Sequence, residues 1–443
     1  MSDTSMDRIT HIVEFVRQRL SDVEFTKQNT RVPAEKSLNG TDEPVWDDLS
    51  LSSGYPGVSL AYVGGAAVDR RRLMQAHAYL ATAATAVNEQ ARSGRATAAG
   101  MYMGSGALAF ATLAAHQAGG GYAKALESLD NAVAREARRI AESISASPMI
   151  SLADIDITRG LSGMGRYLLA RYRTDDLRTV LSYFVELSKD REIDGVQVPG
   201  WWASGGPILG PAPDEFQSGH LNLGLAHGIC GPLALLSLAH RAGITVEGHE
   251  AAIEYIVRTI LDQALTDEWG MYWPNVVSLD DWRARADTDM TGKRARTRPS
   301  WCYGVAGISR SLQLAAHALG RAEWRAVAKK SLISLTAIPL DDLGFDDASF
   351  CHGWAGLLHI VRMCNQEYAD ERLEKYTHAL ARRVVELFDE DAPFAFRGSM
   401  LNVPMGVDSS GLLEGATGIA LALELYAEGA PAGAGLDVCT LMG

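Results

Sequence analysis

Residues 301–316 read WCYGVAGISRSLQLAA and residues 351–364 read CHGWAGLLHIVRMC. In both, a Gly-x-x-Gly element opens a run that is apolar on nearly every side, the pattern of a helix packed inside protein rather than on its surface. The element recurs along the chain, as GYPG at Gly54, GLSG at Gly160, GICG at Gly228, GVAG at Gly304, GWAG at Gly353 and GATG at Gly415. A degenerate seventh copy, GSGA at Gly104, fills the one wide gap, so that successive copies lie 49 to 76 residues apart. With 43 glycines in 443 residues the element alone is a weak signal. The runs that follow it, such as MGRYLLARY after Gly163 and IALALELYA after Gly418, give it weight.

More polar, amphipathic helical stretches alternate with these runs: 6–20, 70–90, 122–143, 175–189, 250–265, 323–336 and 371–388. Seven outer amphipathic helices alternating with seven inner apolar ones describe an all-α fold, an (α/α)7 double-ring toroid, in which repeats that cannot bury a face alone do so against their neighbours. The expectation is one domain over 1–443. The rhythm breaks at 190–226, rich in Gly, Pro and Trp, where loops or short strands and a small inserted subdomain are expected. Small residues at the start of each inner helix let backbones approach closely. Inner-helix N-termini gathered at one end of the ring are expected to offer partial positive charge and unpaired N–H groups to anions.

Composition narrows the function classes. Hydrophobic residues at 47% with 21% charged fit a globular chain. A net charge of -13 argues against general nucleic-acid binding, which needs a positive surface. The start, MSDTSMDRITHIVEFVRQRLSD, lacks the apolar core of a signal peptide. Five scattered cysteines do not make a disulfide framework, and a cytoplasmic, reducing location is expected. The apolar stretch 221–240 is interrupted by His227, Pro232 and glycines and reads as a helix buried in protein, not a membrane span.

Reactive residues concentrate on three of the glycine elements, LAHGICG, WCYGVAG and FCHGWAG. Cys302 and Cys351 each stand two residues before their glycine, on consecutive copies, with His352 beside the second. Two thiolates and an imidazole suit Zn2+, one per chain, and three protein ligands leave a fourth tetrahedral position open for substrate. His227 and Tyr303 occupy the residue just before their own glycines, as His352 does. His227 could be a fourth ligand or an acid/base group; with the metal left open, both it and Tyr303 are candidates for moving protons.

On these residues the sequence resembles the lanthionine cyclase (LanC-like) family, whose signatures stand here as His227-Gly228, Trp301-Cys302-Tyr303-Gly304 and Cys351-His352-Gly353. The resemblance extends over essentially the whole chain. It implies zinc held by Cys302, Cys351 and His352, with His227 and Tyr303 close by, and adds Asp156, in DITRGLSG, as the carboxylate orienting the histidine and Arg298 as a pocket arginine. The implied activity is zinc-dependent addition of cysteine thiols of a dehydrated precursor peptide, leader plus core, to dehydroalanine or dehydrobutyrine, closing thioether rings. The implied partners are a separate dehydratase and a transporter in a biosynthetic complex, with membrane association only through them. Alternatives are a related enzyme adding glutathione to dehydrated residues of proteins, and a non-catalytic zinc-containing peptide-binding scaffold. A helical-ring glycosidase is set aside because no acidic pair sits on the glycine elements.

Overall fold

The computed structural model describes residues 3–37, 39–64, 68–94, 98–144, 149–207, 214–284, 294–400, 403–429 and 435–443. They form two compact units, one of residues 1–133 with 344–439 and one of residues 134–343 with 440–443.

All seven amphipathic stretches are helices: Asp3–Arg19, Arg70–Arg92, Ala123–Ile144, Thr174–Glu186, His249–Asp262, Ala322–Ser334 and Glu371–Glu386. The last shows why. Asp370 caps it by accepting the N–H of Arg372, acidic Glu371 and Glu374 open it, and Leu373, Tyr376, Thr377, Leu380, Ala381 and Val384 bury one stripe. The runs after the glycines are helices too: Tyr55–Ser59, Gly104–Gly119, Leu161–Ala170, Cys230–Arg241, Val305–Leu319, Trp354–Tyr368 and Ala416–Glu428. Every residue from Trp354 to Asn365 is buried, as a helix surrounded by protein requires. The first inner helix is short, continuing only as a 3-10 turn over Leu60–Tyr62.

Within the second unit the helix Cys230–Arg241 packs against both Leu161–Ala170 and Val305–Leu319. Within the first, Trp354–Tyr368 packs against Ala416–Glu428, which in turn receives the N-terminal helix Asp3–Arg19. That last contact encloses an ion pair: Arg17 Nη2 lies 2.5 Å from Glu424 Oε1, with both side chains under 9% exposed. Residues 190–199 form a hairpin of Asp190–Ile193 with Val196–Pro199, while His220–Asn222 pairs outside that stretch, with Val276–Ser278. The stretch 221–240 is thus a strand end, a loop and nearly all of the helix Cys230–Arg241, and among the described residues no helix is long and apolar enough to cross a membrane.

One backbone interaction repeats through both units. The carbonyl two residues before a glycine accepts the N–H three residues before the glycine of a neighbouring copy. Leu51 donates to Tyr102 (3.0 Å), Ile157 to Ala226 (2.9 Å), Leu225 to Cys302 (3.0 Å), Phe350 to Leu413 (2.9 Å) and Leu412 to Ser52 (2.7 Å). The glycine loops are therefore laced to one another by main chain. Each loop also curls over its own helix. Trp354, Ala355, Ala416, Thr417 and Gly418 donate their N–H groups to carbonyls seven residues upstream, from Asp347 through Gly411. In these two helices, first-turn N–H groups expected to be unpaired are thus taken up by the preceding loop.

Space, more than torsion, demands the glycines. A Cβ at Gly418 would overlap the carbonyl oxygen of Leu412, and one at Gly57 that of Leu51, in each case the residue six positions upstream. The irregular second copy keeps its place in the ladder through Tyr102 but begins its helix a residue early, with Met103 as N-cap and Gly104 at φ +61° in the first turn. Gly418→Ala is expected to cost at least about 2 kcal/mol of unfolding free energy, because the obstructing atom is backbone and cannot swing aside. Gly243→Ala, at φ +74° but with nothing within 4 Å, is expected to cost about 1 kcal/mol. Urea titrations of the two variants would compare them.

Candidate active site

The ladder sets what the residue just before each glycine can do. These residues are Ser53, Met103, Arg159, His227, Tyr303, His352 and Glu414, and every one is half-buried or exposed although the glycine after it is buried. Its neighbours are fixed by main-chain bonds, and its own side chain reaches outward. Four consecutive copies put His227, Tyr303, His352 and Glu414 in this slot.

In the second unit the slot of the first of these is a built dyad. Asp156 is 4% exposed and ends a short helical turn. Its Oδ1 accepts the N–H groups of Arg159 (2.7 Å) and Gly160 (2.9 Å), and its Oδ2 accepts the Thr158 hydroxyl (2.8 Å). His227 Nδ1 lies 3.0 Å from the same Oδ2. A carboxylate already accepting three bonds has only acceptor capacity to offer, so Nδ1 carries the proton and Nε2 is the nitrogen left for chemistry. Burial pushes the His227 imidazole pKa down, but the hydrogen bond and charge of Asp156 more than offset it, and the net shift is upward. The ring of Tyr303 lies 6.1 Å from that of His227, and the Tyr303 phenol oxygen accepts a hydrogen bond from Asn222 Nδ2 (2.9 Å).

Cys302 belongs to the same unit. Its carbonyl takes the N–H groups of Leu225 and Ala226, and its Sγ lies 3.3 Å from the Ser300 hydroxyl, so its backbone is held against the loop that carries His227. Arg298 is exposed; its carbonyl accepts the N–H of Ser300 at 2.9 Å and closes the turn before Cys302.

The first unit holds the other two sequence-derived ligands. Cys351 donates its N–H to Leu413 (2.8 Å) and is half-buried, as is His352. Glu414, one residue past that rung, sits in a desolvated setting that pushes its carboxyl pKa up, with the charge of His352 pulling it back. It escaped the sequence reading, although its place before Gly415 matches that of His352 before Gly353. It is a single acid, and the reading that no acidic pair sits on the glycine elements stands beside it. Asp347 does not complete a catalytic pair with it: its carboxylate is spent on the N–H of Ser349 and on both the N–H and hydroxyl of Ser399.

The cysteines divide by environment. Cys230, Cys364 and Cys439 are wholly buried, and burial raises the Cys230 thiol to about 12, which makes it inert. Cys302 and Cys351 occupy the ladder position; Cys351 is half-buried, and Cys302, though buried, is 8% exposed. With His352 they supply two soft sulfurs and one borderline nitrogen, a donor set whose chemistry fits Zn2+. Among the described residues, no three or more His, Cys, Asp or Glu side chains are gathered as a metal-holding group.

A family model described as lanthionine synthetase C-like protein matches residues 45–432. Nisin biosynthesis protein NisC of Lactococcus lactis subsp. lactis is 24% identical over 418 residues, covering 91% of this chain and 93% of its own. The solved structure of a nisin cyclase superposes with a TM-score of 0.72 at 20% identity, over 100% of this chain and 98% of the other. The fold class is therefore the all-α, helical toroid class of that structure.

The Asp156–His227 pair makes stability pH-dependent with a definite sign. His227 has a raised folded pKa, so its contribution is fully present below its unfolded pKa, near 6.5, and is lost as pH rises through the folded value. Asp156→Asn is expected to destabilise the fold more at pH 5.5 than at pH 8.5, by roughly 1 kcal/mol because the half-exposed ring is partly screened. Equal losses at both pH values in urea titrations would show that the pair carries no charge coupling.

Proposed function

This chain belongs to the lanthionine synthetase C-like protein family, and on that premise we propose that it is a zinc-dependent lanthionine cyclase acting on a dehydrated precursor peptide. The observation that carries the proposal is the Asp156–His227 hydrogen bond of 3.0 Å on a loop fixed by two N–H bonds to the Cys302 carbonyl. It sets an acid/base pair beside the WCYG loop in a fold that leaves the residue before each glycine half-buried or exposed.

Cys302, Cys351 and His352 would hold the zinc, one per chain. Bound there, it would supply a positive centre that stabilises a thiolate from a thiol only a few per cent ionised at neutral pH. The reaction is then addition of that sulfur to the β-carbon of a dehydroalanine or dehydrobutyrine. The S–C bond forms, the alkene electron pair moves toward the neighbouring carbonyl, and Cα must gain a proton. His227 would give it. Asp156 holds the proton on Nδ1, and by raising the pKa it keeps the imidazolium populated to higher pH, so Nε2 is the donating nitrogen. Tyr303, half-buried beside it, is the second polar group of this face, and Arg298, exposed before the WCYG turn, is suited to a peptide carboxylate or carbonyl.

The substrate is a peptide that reaches the site after a dehydratase has made its alkenes, and a transporter consuming the cyclised product is the partner expected after it. A cytoplasmic site of action suits unpaired substrate thiols, and none of the five cysteines of this chain is in a disulfide.

Purified protein is expected to contain about one zinc per chain, with Cys302→Ala, Cys351→Ala and His352→Ala each reducing it. With a cognate dehydrated peptide, free thiols counted by alkylation and mass spectrometry should fall without any change in peptide mass, since the addition is intramolecular. His227→Ala should keep its zinc and cyclise about 100-fold or more slowly. A mass gain only when glutathione is supplied would favour the glutathione-adding alternative, and unchanged thiols would overturn the cyclase reading.

A further inference from the structure

The slot one copy before His227 holds Arg159, and its backbone is placed as firmly as that of the dyad. Asp156 Oδ1 accepts the Arg159 N–H at 2.7 Å, and the Ile157 N–H is bonded at 2.9 Å to the carbonyl of Ala226, the residue next to His227. A Cβ on Gly160 would stand 2.5 Å from the main chain at both Asp154 and Asp156, so the turn that carries Arg159 is tightly closed. The side chain is not so engaged. It is exposed, and among the described residues its guanidinium makes no hydrogen bond or ion pair. Its charge nonetheless reaches the dyad: burial lowers the His227 pKa, Asp156 and Cys302 raise it, and Arg159 lowers it again. A permanent cation thus stands beside the proton donor, on a loop bonded to the donor's own.

The addition creates a negative charge that such a cation would stabilise. The sulfur pair forms the S–Cβ bond, the alkene pair moves into the Cα–C bond, and the carbonyl pair moves onto oxygen. That oxygen carries the charge until Cα takes a proton from the His227 imidazolium, and the proton given up by the thiol on ionising balances the one consumed. Only the carbonyl carbon separates Cα from the charged oxygen, so the residue that delivers to Cα and the residue that faces the oxygen have to be near neighbours. Asp156 orients the imidazole but adds negative charge of its own, which favours a compensating cation on this face. We propose that Arg159 is a catalytic residue of the cyclase, its guanidinium donating to the enolate oxygen while His227 protonates Cα. Because the charge exists only as the sulfur adds, the interaction strengthens in the transition state and leaves ground-state binding nearly unchanged. The inference rests on the cyclase reading for its substrate, and on the Arg159–Asp156–His227 arrangement for its geometry.

Arg159 can be replaced without disturbing the fold, because Asp156 holds its main chain and its side chain is exposed. With full-length zinc-loaded protein and the dehydrated peptide, Arg159→Gln is expected to lower kcat by about 10-fold or more with KM within about twofold. Arg159→Lys should stay within about threefold of wild type, since a single oxygen needs a cation but not the planar fork that suits a carboxylate. Zinc content and the urea midpoint should match wild type in both variants, which separates a catalytic loss from a structural one. Wild-type kcat in Arg159→Gln would overturn the proposal. So would a loss confined to KM that Lys does not repair, because that pattern belongs to a clamp on a substrate carboxylate. If wild-type protein cyclises no dehydrated peptide, the cyclase reading falls and takes this inference with it; active wild type beside an equally fast Arg159→Gln overturns the inference alone.

Discussion

The structure depends on a main-chain hydrogen bond from the N–H three residues before one glycine to the carbonyl two residues before a neighbouring one. Phe350 to Leu413, Leu412 to Ser52 and Leu225 to Cys302 are three instances. A backbone bond of this kind is indifferent to side chains, so it recurs through copies that share almost no other residue. It also requires two loops to approach at hydrogen-bonding distance while each curls over the start of its own helix. Such crowding leaves no volume for a Cβ at Gly57 or Gly418, which is why the glycines persist where the sequence between them does not.

The same curl has a chemical consequence. First-turn N–H groups of Trp354–Tyr368 and Ala416–Glu428 are bonded to upstream carbonyls, so these two helix starts have fewer N–H groups to offer an anion. Side chains add charge beside these loops. Asp156 shows how: its carboxylate closes a loop with two N–H groups and still has an oxygen for His227, so folding and orientation of the imidazole are one arrangement. Asn222 does the same with an amide, closing a turn at Gly224 and fixing Tyr303.

Much of this was legible in the sequence, and the reasons differ by feature. Glycine is informative because it marks crowded backbone, so the repeat and all fourteen helices could be placed from spacing and apolar pattern. Cys302, Cys351, His352, His227 and Tyr303 stood out because reactive residue types at a fixed offset from a glycine are rare. Glu414 obeys the same offset and was passed over because a lone glutamate attracts no notice. Asn222 was hidden differently: its meaning comes from a bond to a residue 81 positions away and from a strand pairing with Val276–Ser278, neither of which has a local signal. The saturated N–H groups were misjudged because a helix start looks unpaired until the path of the preceding loop is known. Asp156 and Arg298 followed only from family likeness; the geometry gives Asp156 its partner and leaves Arg298 exposed.

The division of labour between backbone and side chain explains how one fold can carry this site. Stability is invested in the glycine, in the carbonyl two residues before it and in the buried helix after it. The residue in between makes no demand on the ladder, and it is the one that emerges from burial in all seven copies: Ser53, Met103, Arg159, His227, Tyr303, His352 and Glu414. A slot that is anchored on both sides is suited to hold a catalytic group, because its backbone is held while its side chain takes no part in the ladder. Four consecutive copies fill it with two imidazoles, a phenol and a carboxyl, groups that donate and accept protons or bind metal, while the two copies at 53 and 103 carry a serine and a methionine. These four groups stand on consecutive copies, and the Gly160 copy before them adds Asp156 as the partner of His227.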